Sequence, residues 1–353
     1  MAKSRVAVFS TSPETIIEDY GRLMRLVSYR NILHPGRETI LSIDLSWHHF
    51  FPACSTTPWQ LDGVIKTLID GGFQNEKIIA CFNSTTGISI EKGEVLNRQR
   101  IVPEKYGVKI THLTDKEKRF RYEPKTPMKI LGTVFTDGIG IPERFIGSSV
   151  IYLPTMKTHI HTTVAGAMYT AFEGLFGRNR SSAYAGFHDA LVDTLAIIRE
   201  IHPGILAVMD GTFAGDGPGP RRLDPHINNL IAASSDPLAL DAVAAHLMGF
   251  DPFSIPFIRL AHEAGLGTGD IREIEILGDD VSKMRYHFQV NPSAVDSLLW
   301  KLENAFSGGI SGSLVSQAVM MYNDWYWYIQ VGEKIIKPVM KSGWGKLFEK
   351  YRK

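Results

Sequence analysis

The first 114 residues alternate two kinds of hydrophobic pattern, and that alternation restricts the fold more than any other feature of the chain. "SRVAVFST" (4–11), "ETILSIDLSW" (38–47), "EKIIACFNS" (76–84) and "VKITHL" (108–113) are short, apolar stretches of the kind that form strands. "PETIIEDYGRLMRLVSY" (13–29) places its apolar residues at helical spacing. "TPWQLDGVIKTLIDGGF" (57–73) signals both helix ends, with Thr57 as N-cap, Pro58 in the first turn and Gly71 and Gly72 as the stop. Strands separated by helices join as parallel neighbours with the helices on the faces. The expectation is an α/β fold of mostly parallel sheets flanked by helices, in two lobes with a cleft between them.

Residues 1–114 form the first α/β lobe on this reading. Residues 115–147 are charged, carry several prolines and read as an irregular excursion or hairpin. Residues 148–282 form a second α/β lobe. It runs from the strand "SSVIYLP" through the helices "TTVAGAMYTAFEGLFG" and 185–204, then a strand entering the glycine-rich "GTFAGDGPGP". The strand "NNLIAASSD", two further helices and the strand-ended "DIREIEILGDD" complete it. A helical segment, 283–353, closes the chain. A length of 353 residues with 44% hydrophobic content suits such a two-lobed body.

Charge and cysteine content exclude several classes. The net charge of +1 argues against a nucleic-acid partner. The two cysteines, Cys54 and Cys81, form no Cys-x-x-Cys pair, so no cysteine-ligated iron–sulfur cluster or zinc site is expected. The N-terminal residues lack an apolar signal core, and no run reaches the roughly 18 apolar residues of a membrane span. A cytoplasmic location is expected.

Open parallel sheets bind ligands beyond the carboxyl ends of their strands. Three polar groups fall there: Lys157, His159 and His161 in "PTMKTHIHTT", Asp210 before "GTFAGDGPGP", and Asp236 with Asp241 in "SSDPLALD". A Lys-x-His spacing in extended chain puts Lys157 and His159 on one side. His161 would join them only if the strand continued. His188 lies in an amphipathic helix and is expected to line the same cavity. Lys157→Ala would then leave the melting temperature nearly unchanged while abolishing ligand response. Asp216, Gly217 and Gly219, followed by Arg221 and Arg222, read either as an anion cradle built from backbone N–H groups or as a Pro/Gly-rich turn. The spacing is neither a Walker loop nor a dinucleotide fingerprint. Asp236 reads first as an N-cap. In "WHHFF" (47–51), extended chain would let at most one of His48 and His49 face the cleft.

Taken together, "YLPTMKTH", the helix closing in "LFG", "VMDG…GDGPGP", "SSDPLALDAVAAHLMGFDP" and "AHEAGLGTGDIREIEILG" resemble the domain of unknown function 362 family, as does "STTPWQLDGVIKTLIDGG". The similarity covers about residues 5–280. Members often carry a ferredoxin-like iron–sulfur module, which this chain lacks. The family pattern implies Lys-x-Asn after the second strand, where this chain has Ser42 and Asp44, and Lys-Asn before the "L-x-G" helix end, where it has Glu173 and Gly174. Two cations are lost and one is replaced by an acid. A looser likeness, in order and residue type alone, is to nickel-pincer lactate racemases, whose strand-end lysine and later histidine match Lys157 and His188.

Three readings stay open. The favoured one is an enzyme that moves a proton next to a carbonyl of an anionic substrate, as an isomerase, epimerase or lyase. Lys157, His159, His188 and Asp210 would be catalytic, with Asp216, Gly217, Gly219, Arg221, Asp44, His48 and Glu173 binding substrate. The second is an enzyme with a divalent metal on His159, His188 and Asp210 (or Asp216). The third is a non-enzymatic binding or scaffold protein. A homo-oligomer stays open in all three.

The tail is distinctive. Residues 333–353 carry seven Lys/Arg against two Glu, interleaved with Ile335, Ile336, Val339, Met340, Trp344, Leu347, Phe348 and Tyr351. Such a segment either docks as a terminal helix or lies against a membrane or partner through residues 331–353. Pro338, Gly343 and Gly345 are expected to interrupt it.

Overall fold

The structure is a computed structural model, which describes residues 3–85, 87–114, 117–176, 178–282, 284–305 and 309–352. Its strands are β1 (Ser4–Ser10), β2 (Thr39–Ile43), β3 (Ile78–Asn83), β4 (Lys109–Leu113), β5 (Arg119–Tyr122), β6 (Ile139–Pro142), β7 (Ser149–Leu153), β8 (Thr155–His159), β9 (Thr163–Ala165), β10 (Ile205–Asp216), β11 (Asp224–Ser234) and β12 (Ile274–Gly278). Ten of these form one sheet, whose main path runs β12-β1-β11-β10-β7-β2-β3-β4. β2 pairs in parallel with both β3 and β7, so strands from both halves of the chain enter the same sheet. The sheet is mostly parallel. β11 is antiparallel to both of its neighbours, β1 and β10.

Alternation along each strand divides the core in two. Ile40, Ile79, Val150, Tyr152 and Ala207 face the helices Ala167–Leu175, Phe187–Ile201 and Pro237–Met248. Leu41, Ile43, Ala80, Ile151 and Val208 face the helices Ile16–Leu26 and Pro58–Asp70. Thr57 caps Pro58–Asp70 through a full capping box with Gln60, as its sequence signals. Asp236 caps Pro237–Met248, accepting from the N–H groups of Leu238 (3.1 Å) and Ala239 (3.4 Å).

The excursion holds a two-stranded antiparallel sheet, β5–β6. It is pinned to the helix Phe187–Ile201. Asp193 accepts from the N–H groups of Lys129, Ile130 and Leu131, and Glu200 accepts from the Tyr122 hydroxyl at 2.6 Å.

"GTFAGDGPGP" departs from the expected strand-into-loop. β10 runs on to Asp216 and β11 begins at Asp224, so the glycine-rich residues form a hairpin turn. Gly215 permits the close pairing, because a Cβ there would lie 2.6 Å from the Leu223 side chain.

The tail docks. Tyr322–Gly332 winds as a π-helix, followed by the helices Glu333–Lys341 and Gly343–Lys350, with the break at Ser342. Trp344 packs on Trp59 and Phe213 and donates to the Asn229 side-chain oxygen at 2.7 Å. Val339, Leu347 and Phe348 are buried with it. The apolar residues expected to meet a membrane or partner within 331–353 are thus largely spent on the protein itself. Large exposed apolar side chains lie around the start of that stretch instead, at Met321, Trp325, Tyr326, Ile329 and Val331. No helix among the described residues is long and apolar enough to cross a membrane.

Candidate functional site

Beyond the carboxyl ends of β2 and β7, the chain assembles a buried polar cluster. Pro154 separates β7 from β8, and β8 turns onward to pair with β10 and β9. That detour places Lys157 opposite the end of β2. Its ammonium donates to Asp44 Oδ2, to the Cys54 carbonyl (2.7 Å) and to Thr155 Oγ1 (2.9 Å). All three N–H groups of the lysine are therefore used. Asp44 Oδ1 accepts from Ser46 Oγ at 2.7 Å.

A second buried pair lies beside the first. Glu173, on the helix Ala167–Leu175, accepts from Arg180 Nη2 (2.8 Å), the Tyr169 hydroxyl (3.1 Å) and Asn83 Nδ2 (3.1 Å). Arg180 also donates to the Ser84 carbonyl and Thr85 Oγ1. Burial pushes the Glu173 carboxyl above its ordinary range, against the pull of Arg180.

The imidazoles form the third part. His159 packs against Tyr169 and Phe187, and its Nδ1 meets Thr162 Oγ1 at 2.9 Å. Burial, then the charges of His161, Lys157 and Arg221, holds it well below the usual histidine value. The strand ends at His159, yet the turn after it brings His161 back, with ring centroids 5.4 Å apart. His161 stacks on Tyr184, and burial followed by His188 lowers it to about 4. Both rings are neutral at neutral pH. His188 lies on the same side of the sheet, stacked on Phe257, and its Nδ1 accepts from the Phe257 N–H. Arg221 donates from Nε to the Ser46 carbonyl at 2.8 Å. No carboxylate among the described residues pairs with it.

Other expected site residues are used differently. Asp210 faces the opposite side of the sheet, where Tyr20, Thr57, Trp59 and Thr212 supply five hydrogen bonds to its carboxylate. It is a packing hub, and His159, His188 and Asp210 assemble no metal site. Asp216 accepts from the N–H groups of Gly217 and Gln289. The Gly219 N–H bonds to the Gly217 carbonyl, while the Gly217 and Gly219 carbonyls accept from β8 and the residue after it. The N–H groups of Gly217 and Gly219 are thus spent and make no anion cradle. Arg222 pairs with Asp296 at 2.7 Å. Asp241 accepts from the N–H groups of Ala167 and Met168, fixing the start of their helix. His48 and His49 both turn to Asp324, away from the cluster, because the chain after β2 bends and does not stay extended.

A family model described as Domain of unknown function (DUF362) matches residues 41–246, more than half of the chain. The chain belongs to the domain of unknown function 362 family. A thylakoid-associated protein of the cyanobacterium Synechocystis is 33% identical over 124 residues, which is 33% of this chain and 37% of that protein. The chain therefore aligns with little more than a third of that relative's length.

Within this family's pattern, the two departures noted in the sequence face each other. A Cβ on Gly174 would lie 2.7 Å from Ser42 Oγ. The acids at these two places, Asp44 and Glu173, are each neutralised by a buried cation. Arg180 was not signalled by the sequence, since it sits in an irregular 3₁₀ segment without periodicity. Tyr169 was legible in principle, one helical turn before Glu173 at i, i+4 spacing.

Proposed function

We propose that the chain binds a small anionic carbonyl compound beside Arg221 and moves a proton on it. The observation that carries this reading is the charge pattern. Lys157 and Arg180 are each matched by a carboxylate, whereas Arg221 lies at the half-buried rim without one. A carboxylate or phosphate is the natural partner for its guanidinium. The neutral imidazoles of His159 and His161 pack on Tyr169 and Tyr184 in the same cluster, and His159 feels the charge of Arg221. In the step proposed, a C–H bond next to the carbonyl breaks, and its proton passes to a neutral imidazole. The electron pair moves onto the carbonyl oxygen as an enolate, which Arg221 stabilises. Return of the proton gives an isomer or epimer, and loss of a neighbouring group makes the reaction a lyase step. The bound anion also lifts the imidazole toward its ordinary value, so proton uptake accompanies binding. Lys157 acts here as a positioning residue that fixes the loop carrying Ser46.

The test is incubation with 2-hydroxy and 2-oxo carboxylic acids in deuterated water. Deuterium should enter the carbon next to the carbonyl or carboxylate, with loss of incorporation in Arg221→Ala and His161→Gln. Ligand-induced thermal shifts without any incorporation would move the reading to a binding protein.

A second reading concerns location. Trp325 is 76% exposed, with Tyr326, Ile329 and Val331 exposed near it and Lys334 and Lys337 following. Apolar and aromatic side chains flanked by lysines suit a bilayer interface, and the Synechocystis relative is described as thylakoid-associated. Flotation with anionic vesicles tests this. Binding lost in Trp325→Ser/Ile329→Ser supports it, and binding that persists there counts against it.

A further inference from the structure

We infer that His48, His49 and Asp324 form a binding site for a divalent transition metal of the zinc class, where the loop after β2 meets the segment Tyr322–Gly332. Each residue offers one ligand atom, and these atoms all lie within 4.8 Å of one another. His48 Nε2 is 3.2 Å from Asp324 Oδ2, and His49 Nε2 is 3.7 Å from Asp324 Oδ1. Ligands about 2.0–2.1 Å from a tetrahedral ion sit roughly 3.4 Å from each other, so each imidazole is already near ligand spacing from an Asp324 oxygen, and small side-chain shifts bring all three ligand atoms, within 4.8 Å of one another, onto one ion. Two imidazoles and one carboxylate suit zinc and its neighbours, whereas calcium and magnesium take oxygen sets.

Independent features point the same way. His48 is nine-tenths buried, and its Nε2 is held toward the carboxylate of Asp324, 3.2 Å away. Trp47 Nε1 donates to Asp324 Oδ1 at 2.6 Å and fixes the carboxylate, the support that outer-shell donors give to metal ligands. Tyr328 stacks on His49 with centroids 4.2 Å apart and fixes that ring. Three protein ligands leave a fourth position open to water or to a ligand oxygen. The loop bearing the histidines also supplies the Ser46 carbonyl to Arg221 and the Cys54 carbonyl to Lys157. An ion here ties the tail to the wall of the buried cluster. None of the three ligands belongs to that cluster, so this site stands or falls separately from the proposed reaction.

Equilibrium dialysis of the full chain against zinc, with the metal counted by mass spectrometry, tests it. One ion per chain is expected, and cobalt should bind with the visible absorption of a tetrahedral site. His49→Gln and Asp324→Asn should each weaken zinc binding at least about 100-fold, since loss of an outer-shell partner alone costs about 10–100-fold. Zinc should raise the melting temperature of the unaltered protein, and it should shield the part-exposed His49 from diethylpyrocarbonate, a readout that needs no variant. No zinc uptake, uptake undiminished in both variants, or an unshielded His49 in the presence of zinc would overturn the inference.

Discussion

Lys157 and Asp44 form an ion pair inside the protein, each side chain only 1% exposed. The lysine comes from the short strand after Pro154 and the carboxylate from the residue just past β2. Their union closes the floor of the cluster at the strand ends. A pair so buried is held by mutual neutralisation, and removing one partner strands the other charge.

Lys157→Met should therefore cost about 3–5 kcal/mol of stability, as should Asp44→Leu. This reverses the expectation that Lys157 can be truncated without a stability effect, which rested on placing it at an open cleft. The double substitution should cost less than the sum of the two. Chemical denaturation checks this, and additive losses would remove the pairing argument.

The two facing departures from the family pattern should be coupled in the same way. Gly174→Ala forces a Cβ against Ser42 Oγ, and overpacking of this kind costs about 1–3 kcal/mol. Better helix propensity offsets about 1 kcal/mol of that. Adding Ser42→Ala removes the obstructing oxygen and should restore stability. A Gly174→Ala protein as stable as the parent would show that the helix simply moves aside.

Docking of the tail makes a prediction about Trp344, buried against Trp59 and Phe213. Trp344→Ala should destabilise the whole protein by about 3–5 kcal/mol in denaturant. An unchanged midpoint would mean that the tail contributes nothing to the fold.

The histidines should titrate in a set order. Burial lowers His161 and His202 to about 4, while the Glu94 hydrogen bond raises His112 above its ordinary value. As pH falls, the imidazole shifts measured by NMR should thus move for His112 before they move for His161 and His202. As pH falls from about 6.5 to 4, the unfolded chain takes up protons that folded His161 and His202 refuse. Their contribution to stability is intact above about 6.5 and is lost across that window. A His202 signal titrating near 6.5 would contradict the desolvation argument.

The strands and helices were legible because their hydrophobic periods differ and their caps are local. Thr57, Pro58 and Asp236 need only their own neighbours to act. The two-residue spacing of Lys157 and His159 was legible, and β8 holds both in extended chain, where the sequence suggested a strand running out into a loop. What could not be read depends on long-range pairing. Asp210 looks the same in sequence whether it faces a ligand or five donors, and only the sheet decides which. The glycines of "GTFAGDGPGP" left an anion cradle and a tight turn both open, and only the β10–β11 pairing, where Gly215 serves close packing, shows the turn. His48 and His49 meet Asp324 from 275 or more positions away, a contact that no local pattern encodes.

The most direct test of the account is calorimetric titration of small mono- and dicarboxylic 2-oxo and 2-hydroxy acids into the protein and its Arg221→Ala variant. Charge-assisted hydrogen bonds to Arg221 worth about 1.5–3 kcal/mol correspond to roughly 10–150-fold in affinity. The account predicts saturable binding, proton uptake on binding below neutral pH, and a loss of that size in Arg221→Ala, with the exposed control Lys346→Ala unchanged. Binding of equal strength in Arg221→Ala, or no binding by the unaltered protein to any of these anions, would contradict it.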